Sequence, residues 1–121
     1  NNPKNDCFEI PAQGMGVFSC RKDSWLGFNK MFRGFGGEEG YIHEKYRKNG
    51  KKTLCLPFLR WLHRFERPVP TTYPNILEDR FRNYYIGFKE LGLDTQVLID
   101  NFKGVEVTDL ILKIEKELNI S

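Results

Sequence analysis

The chain of 121 residues has few cysteines, little excess charge of either sign and no long hydrophobic run. Its three cysteines are odd in number and never form a CxxC pair, which argues against zinc ribbons and disulfide scaffolds. Reduced, mostly buried thiols are the favoured interpretation. The sequence leaves the localisation open, and such thiols are compatible with an intracellular compartment, either cytoplasmic or membrane-peripheral. The net charge of +3 is too small to indicate nucleic-acid binding, and the apolar runs are too short for a transmembrane segment.

Aromatic residues and glycines are what the sequence has in quantity. Ten Phe, five Tyr and two Trp can build a core, and the length suits about one domain. Eight of the eleven glycines and both histidines lie in residues 1–67. Three prolines, at positions 68, 70 and 74, then mark a linker. We therefore divide the chain into a part carrying the chemistry, 1–67, and a linker with a helical segment, 68–121.

The first part predicts an α/β fragment with a few mixed strands and one helix across them. Strands are expected at 8–10, 16–20 and 52–56, with a helical turn at 23–27 and extended chain over 58–65. A helix is expected over 38–49, because acids stand at its start and basic residues at its end, followed by Gly50.

The second part predicts three amphipathic helices, each from apolar residues at three- and four-residue steps. The first is expected to end at Gly92, the second to start with an Asp94 cap and stop at Gly104, and the third to start with a Thr108 cap. Their inward stripes are predicted to be Leu77, Phe81, Tyr84, Phe88 and Leu91; Val97, Leu98 and Phe102; and Leu110, Ile111, Ile114 and Leu118.

The glycine-rich run 34–40 contains two acids, Glu38 and Glu39. It does not meet the dinucleotide pattern GxGxxG, and carboxylates at the helix start would repel a pyrophosphate. The helix dipole would instead keep both carboxylates ionised and able to accept protons, while the glycines would allow a substrate to approach the backbone. The alternative is that both acids merely stabilise the helix end.

His63 stands among aromatic residues and arginines in the run 59–65. A hydrogen-bonded core histidine is one interpretation and a metal ligand is the other, although no nearby Asp, Glu or His supplies further ligands. Arg60 and Arg64 could contact phosphate oxygens weakly, or could form an ordinary solvated surface. His43 follows Glu39 by four residues and is interpreted as structural.

Five segments in order, 18–25, 27–29, 32–39, 54–57 and 61–65, resemble the C-terminal half of a GT-A glycosyltransferase catalytic domain. The similarity covers about residues 14–67. It is to family-2-type transferases, polypeptide N-acetylgalactosaminyltransferases and β-galactosyltransferases. The resemblance implies a GT-A fold and transfer of a sugar from a nucleotide-diphosphate sugar to a hydroxyl acceptor.

The same resemblance implies roles for four residues. Glu39 matches the position that serves as general base in inverting members, which is usually Asp there and Asn in the polypeptide-modifying retaining members. Glu39 departs from both patterns, so an inverting and a retaining course both stay open. Glu38 matches an acid that binds sugar hydroxyls, and Trp25 matches an aromatic position near the acceptor. His63 matches a ligand of a divalent metal, normally manganese, on the nucleotide diphosphate.

The family's Asp-x-Asp motif does not occur in this sequence, nor does its nucleotide-binding βαβ half. We therefore expect a fragment, inactive by itself, with exposed apolar surface where the other half docks and a tendency to self-associate. A partner chain supplying that half is the alternative. Two other functions stay open: a non-catalytic carbohydrate- or protein-binding module, and a weak nucleic-acid binder with steep salt dependence.

Overall fold

The computed structural model describes residues 6–66, 69–70, 73–102 and 106–120, which form a small, mostly helical α/β protein. A short 3₁₀ helix, Lys22–Ser24, precedes the first α-helix. In chain order the strands and α-helices are β1 (Phe8–Glu9), α1 (Glu38–Lys48), β2 (Leu54–Cys55), α2 (Leu77–Leu91), α3 (Gln96–Asn101) and α4 (Val107–Ile120).

The sheet is a single antiparallel pair within the described residues, rather than the mixed set of strands predicted. Phe8 pairs with Cys55 and Glu9 with Leu54. The Ile10 N–H extends the ladder by donating to the Thr53 carbonyl at 2.9 Å. A GT-A fold is not evident from so small a sheet, and the α/β class is what the structure supports.

The strand predicted over 16–20 is wrong, because this segment packs through side chains instead of a ladder. Phe18 lies against the buried side of α1. The Trp61 ring lies so close to Gly16 that a Cβ there would collide with it. The predicted helical turn at 23–27 corresponds to the 3₁₀ helix at 22–24.

Helix α1 confirms the prediction for 38–49 and ends one residue earlier. Gly37 precedes it with a φ of 87°, a left-handed conformation that glycine adopts without strain. The buried side of α1 consists of Tyr41, Ile42, His43 and Tyr46, and it packs against Met15, Phe18, Leu26, Phe32 and Leu91.

Helix α2 spans the predicted residues, and Gly92 ends it with a φ of 70°. Its apolar side forms the main core with α3 and α4, where Phe81, Tyr85, Ile86, Leu98 and Ile114 are buried. Leu77 and Val97, which the stripes placed inward, are exposed instead. Leu77 is the first residue of α2 and Val97 is the second residue of α3, so both lie at the start of a helix.

The two short connections of the second part differ in detail from the prediction. Thr95 is the N-cap of α3, although the Asp94 carboxylate accepts a hydrogen bond from the Gln96 N–H at 3.0 Å. Helix α4 begins at Val107, so Thr108 lies inside the first turn and the predicted Thr108 cap is wrong. The predicted stop at Gly104 lies outside the described residues, as does Pro68 of the linker.

The three cysteines are free thiols. Cys7 and Cys20 are exposed and Cys55 is half-buried, so the expectation of mostly buried thiols is wrong. Among the described residues, no helix has the length and apolar character needed to cross a membrane.

Candidate functional site

The glycine-rich segment 34–37 is a tight loop that leads into α1. Gly34, Gly36 and Gly37 have φ values of 58°, 114° and 87°, a region that L side chains rarely occupy. The loop also lies directly on α2, because a Cβ at Gly36 would stand 2.7 Å from Cγ of Arg80. The sequence therefore needs glycine here for backbone conformation and for close packing.

Asn83 of α2 holds this loop through three hydrogen bonds. Its Oδ1 accepts from the Arg33 N–H at 2.8 Å, and its Nδ2 donates to the carbonyls of Arg33 at 2.7 Å and Gly36 at 2.9 Å. The side chain is buried, with 3% of its surface exposed. A buried amide is costly unless it is bonded, and here the loop supplies the partners.

The two acids after the loop have different surroundings. The Glu38 carboxylate accepts a hydrogen bond from the Gly36 N–H at 3.0 Å, so one of its oxygens closes the turn. Glu39 is half-buried, and among the described residues its carboxylate makes no hydrogen bond and no ion pair. Both acids lie in the first turn of α1, where the helix dipole favours negative charge. Glu39 is therefore the acid whose oxygens are available to a ligand.

An aromatic group extends from α1 to the surface. His43 is four residues after Glu39, and its Nδ1–H donates to the Glu39 carbonyl at 2.6 Å. The ring of Phe18 lies 6.0 Å from that of His43 and 6.1 Å from that of Trp25, centroid to centroid. Phe28 continues the group at 5.2 Å from Trp25. His43 is buried, which confirms its structural interpretation.

Trp25 lies at the exposed end of that group. Its side chain is 42% exposed, and no hydrogen bond within the described residues joins it to Glu38 or Glu39. The structure thus places Trp25 on the surface reached from α1 through Phe18 and His43.

His63 is exposed and lies in a segment without regular secondary structure. Its ring stands 4.0 Å from that of Phe65 and 5.3 Å from that of Trp61, centroid to centroid. The interpretation of His63 as a packed core histidine is therefore wrong. Arg60 and Arg64 are exposed as well, and neither forms an ion pair with another described residue.

Among the described residues, no three His, Cys, Asp or Glu side chains come close enough together to bind a metal ion. His63 has aromatic rings rather than acids as its neighbours. The residues present therefore do not fit a complete divalent-metal site.

The segment around His63 also carries much exposed apolar surface. Leu62 is 98% and Phe65 82% exposed. Other large apolar side chains exposed in the same stretch are Leu54, Leu56, Phe58, Leu59 and Trp61. A contiguous run of this kind is typical of a surface that another protein unit covers.

A groove of about 340 Å³ lies between α1, α2 and the segment that follows β1. Neither Glu38 nor Glu39 lines it. Its walls include Pro11, Gly37, Gly40, Tyr41, Glu44, Tyr84 and Phe88. The volume is at the lower end of the range for small-molecule pockets, roughly 300–1,000 Å³.

A polar network that the sequence did not indicate joins α1 to α2. The Tyr41 hydroxyl donates to the Glu90 carboxylate at 2.6 Å and accepts from Lys45 Nζ at 2.9 Å. Asn29 donates to the other Glu90 oxygen at 2.7 Å. Burial, with the neighbouring carboxylate, raises the pKa of Tyr41 well above its usual value. Burial also raises the pKa of Glu90, but the hydrogen bonds from Tyr41 and Asn29 and the Lys45 charge outweigh it, so that the pKa lies below its usual value.

Comparisons with known proteins do not identify a family for this chain. No protein-family model matches it, and no match is found among curated proteins or solved structures.

Proposed function

We propose that this chain is the acceptor-side half of an enzyme that transfers a sugar from a nucleotide-diphosphate sugar to a hydroxyl acceptor. The single observation that carries the proposal is the Glu39 carboxylate, which is unpaired among the described residues at the first turn of α1. The ordered resemblance of residues 14–67 to GT-A glycosyltransferases supports it from the sequence. A carboxylate in the first turn of a helix, with its oxygens available, suits a general base.

In the proposed step the acceptor oxygen attacks the anomeric carbon of the donor sugar. A new C–O bond forms there, and the bond from that carbon to the diphosphate oxygen breaks, so that the nucleoside diphosphate leaves with the electron pair. Glu39 takes the proton of the acceptor hydroxyl. Glu38 keeps one oxygen on the Gly36 N–H and offers the other to a sugar hydroxyl.

Trp25 and the arginines have supporting roles in this proposal. The exposed Trp25 indole borders the acceptor, as its place beside the α1 group of aromatic rings allows. Arg60 and Arg64 stand without ion-pair partners in the described ranges, so their charges are available to the leaving diphosphate.

His63 is proposed as one ligand of a divalent metal, manganese being the expected ion. A metal would neutralise charge on the leaving diphosphate as a Lewis acid. The described residues supply no second or third ligand beside His63, and in this proposal the donor-binding half would supply them.

A non-catalytic binding module is the second candidate, and the exposed apolar stretch around Leu62 and Phe65 favours it. In that case the stretch would bind a protein partner or a second copy of the chain, and Glu38 and Glu39 would only bind hydroxyls. Such a module would show carbohydrate or protein binding without turnover.

The experiment uses the chain extended upstream to include its donor-binding half. The extended protein is incubated with uridine- and guanosine-diphosphate sugars and a panel of hydroxyl acceptors, with and without manganese, and glycosylated product is followed by mass spectrometry. Product with at least one donor supports transfer. Binding of saccharides without product supports the module, and salt-sensitive binding to single-stranded RNA would indicate the nucleic-acid alternative.

A further inference from the structure

Asn83 is an unusual residue for the middle of α2. Asparagine is unfavourable inside helices because its side chain competes with the backbone for hydrogen bonds. This amide is nonetheless buried, and its hydrogen-bond partners among the described residues all lie outside its own helix, in the loop before α1. Its side chain therefore stabilises the loop rather than α2.

Besides Asn83, the loop is held by the stacking of Phe35 on Tyr73, with ring centroids 5.5 Å apart, and by the hydrogen bond from the Gly36 N–H to Glu38. Glycines at 34, 36 and 37 leave it a large conformational freedom that must be lost on folding. Asn83 satisfies both the N–H and the carbonyl of Arg33 and also the carbonyl of Gly36. One side chain thus replaces the partners that a helix or sheet would provide.

Gly36 connects this arrangement to the acids. Its carbonyl accepts from Asn83 at 2.9 Å, and its N–H donates to the Glu38 carboxylate at 3.0 Å. On the next residue, a Cβ at Gly37 would stand 3.3 Å from Cβ of Asn83, so the start of α1 rests on the same side chain. A displacement of Asn83 would therefore move the first turn of α1, which carries Glu38 and Glu39.

We infer that Asn83 is a positioning residue for the proposed sugar transfer: it fixes the loop so that Glu38 and Glu39 face the acceptor. The inference rests on the proposed function. It also means that the helical segment after the linker helps to position the two acids. Misplacing a base by about 1 Å can cost about 10²-fold in rate, so turnover should be sensitive to this contact.

The test variant is Asn83→Asp, which keeps the volume and the acceptor for the Arg33 N–H but turns carboxylate oxygens toward two carbonyls. The matched control is Ile86→Val, one turn along α2 and equally buried, which weakens the core without touching the loop. Amide hydrogen exchange is measured on the 121-residue chain. Each variant is measured at a temperature equally far below its own melting point. We expect the amides of 34–40 to exchange at least 10-fold faster in N83D than in I86V. The amides of α4 should exchange at the same rate in both variants.

Kinetics in the upstream-extended protein supply the second measurement. The inference predicts that N83D lowers kcat about 10-fold or more with little change in donor KM, whereas I86V leaves both unchanged. Equal loop exchange in N83D and I86V would overturn the positioning role, whatever the activity. Faster loop exchange with an unchanged kcat would overturn the link to catalysis. Absence of transfer by the unsubstituted extended protein would overturn the proposed function, while the exchange result would still decide whether Asn83 holds the loop.

Discussion

The Tyr41 hydroxyl on α1 and the Glu90 carboxylate on α2 are joined by a hydrogen bond of 2.6 Å. Lys45 lies 3.6 Å from the same carboxylate oxygen, so an ion pair accompanies the bond. Because α1 carries the candidate acids, this contact fixes the helix near its middle while Asn83 holds the loop at its start.

Replacing Glu90 should change how stability depends on pH. Its pKa lies below the ordinary value of 4.5, so its contribution is fully present above about pH 4.5 and is lost as the pH falls through the lower folded-state pKa. The side chain is one-third exposed, and we expect Glu90→Gln to lower the free energy of unfolding by about 1 kcal/mol at pH 7. The difference from the unsubstituted chain should shrink as the pH falls below 4.5.

Urea denaturation between pH 3 and pH 7 checks this expectation. Glu9→Gln, at an exposed carboxylate of β1, serves as the control and should change the free energy of unfolding by less than about 0.5 kcal/mol. A difference between E90Q and the unsubstituted chain that stays constant over the whole range would show that Glu90 is not held ionised by its partners.

The glycines around the acids should respond oppositely to alanine. Gly36→Ala places a Cβ 2.7 Å from Arg80 and forces a φ of 114° on an L residue, so it should cost about 1–3 kcal/mol. Gly40→Ala lies inside α1 with open space around it and should stabilise the chain by roughly 0.5–1 kcal/mol. Thermal melts of both variants provide the comparison. If G36A were as stable as G40A, the loop would not be packed on α2 in solution.

The two histidines form a second matched pair. His43 is 4% exposed and donates to the Glu39 carbonyl, so His43→Ala should cost about 1–3 kcal/mol. His63 is exposed, and His63→Ala should change stability by less than about 0.5 kcal/mol. In the upstream-extended protein, H63A should also weaken manganese-dependent nucleotide binding, which a manganese titration measures. A large stability loss in H63A with unchanged manganese dependence would contradict its proposed role.

The helices could be predicted from the sequence because their determinants are local. Gly37 and the two acids indicate where α1 begins, and Gly92 indicates where α2 ends. The apolar spacing correctly placed Phe81 on the buried side of α2, whereas the buried Tyr85 and Ile86 lie outside the predicted stripe.

The remaining features depend on contacts between distant residues. From the sequence alone, Asn83 resembles an exposed helix residue. Its role becomes visible only in the folded chain, where the loop fifty positions earlier packs on it. The segment 16–20 has strand-like residues, but the Trp61 ring occupies the space beside Gly16. In the candidate site, the glycines and the acids could be identified from the sequence. Only the structure shows that Glu38 accepts a hydrogen bond while the oxygens of Glu39 are available.

The role of Glu39 is tested most directly by the turnover of Glu39→Gln in the upstream-extended protein, measured as product formed at saturating donor and acceptor. Glu44→Gln is the matched control. It removes a negative charge from the same helix, and the Glu44 carboxylate forms an ion pair with Arg47. We predict that E39Q lowers kcat by about 10²-fold or more with donor affinity unchanged, while E44Q remains near the unsubstituted rate. Turnover of E39Q equal to that of E44Q would contradict the account and leave Glu39 as an acid that only stabilises the start of α1.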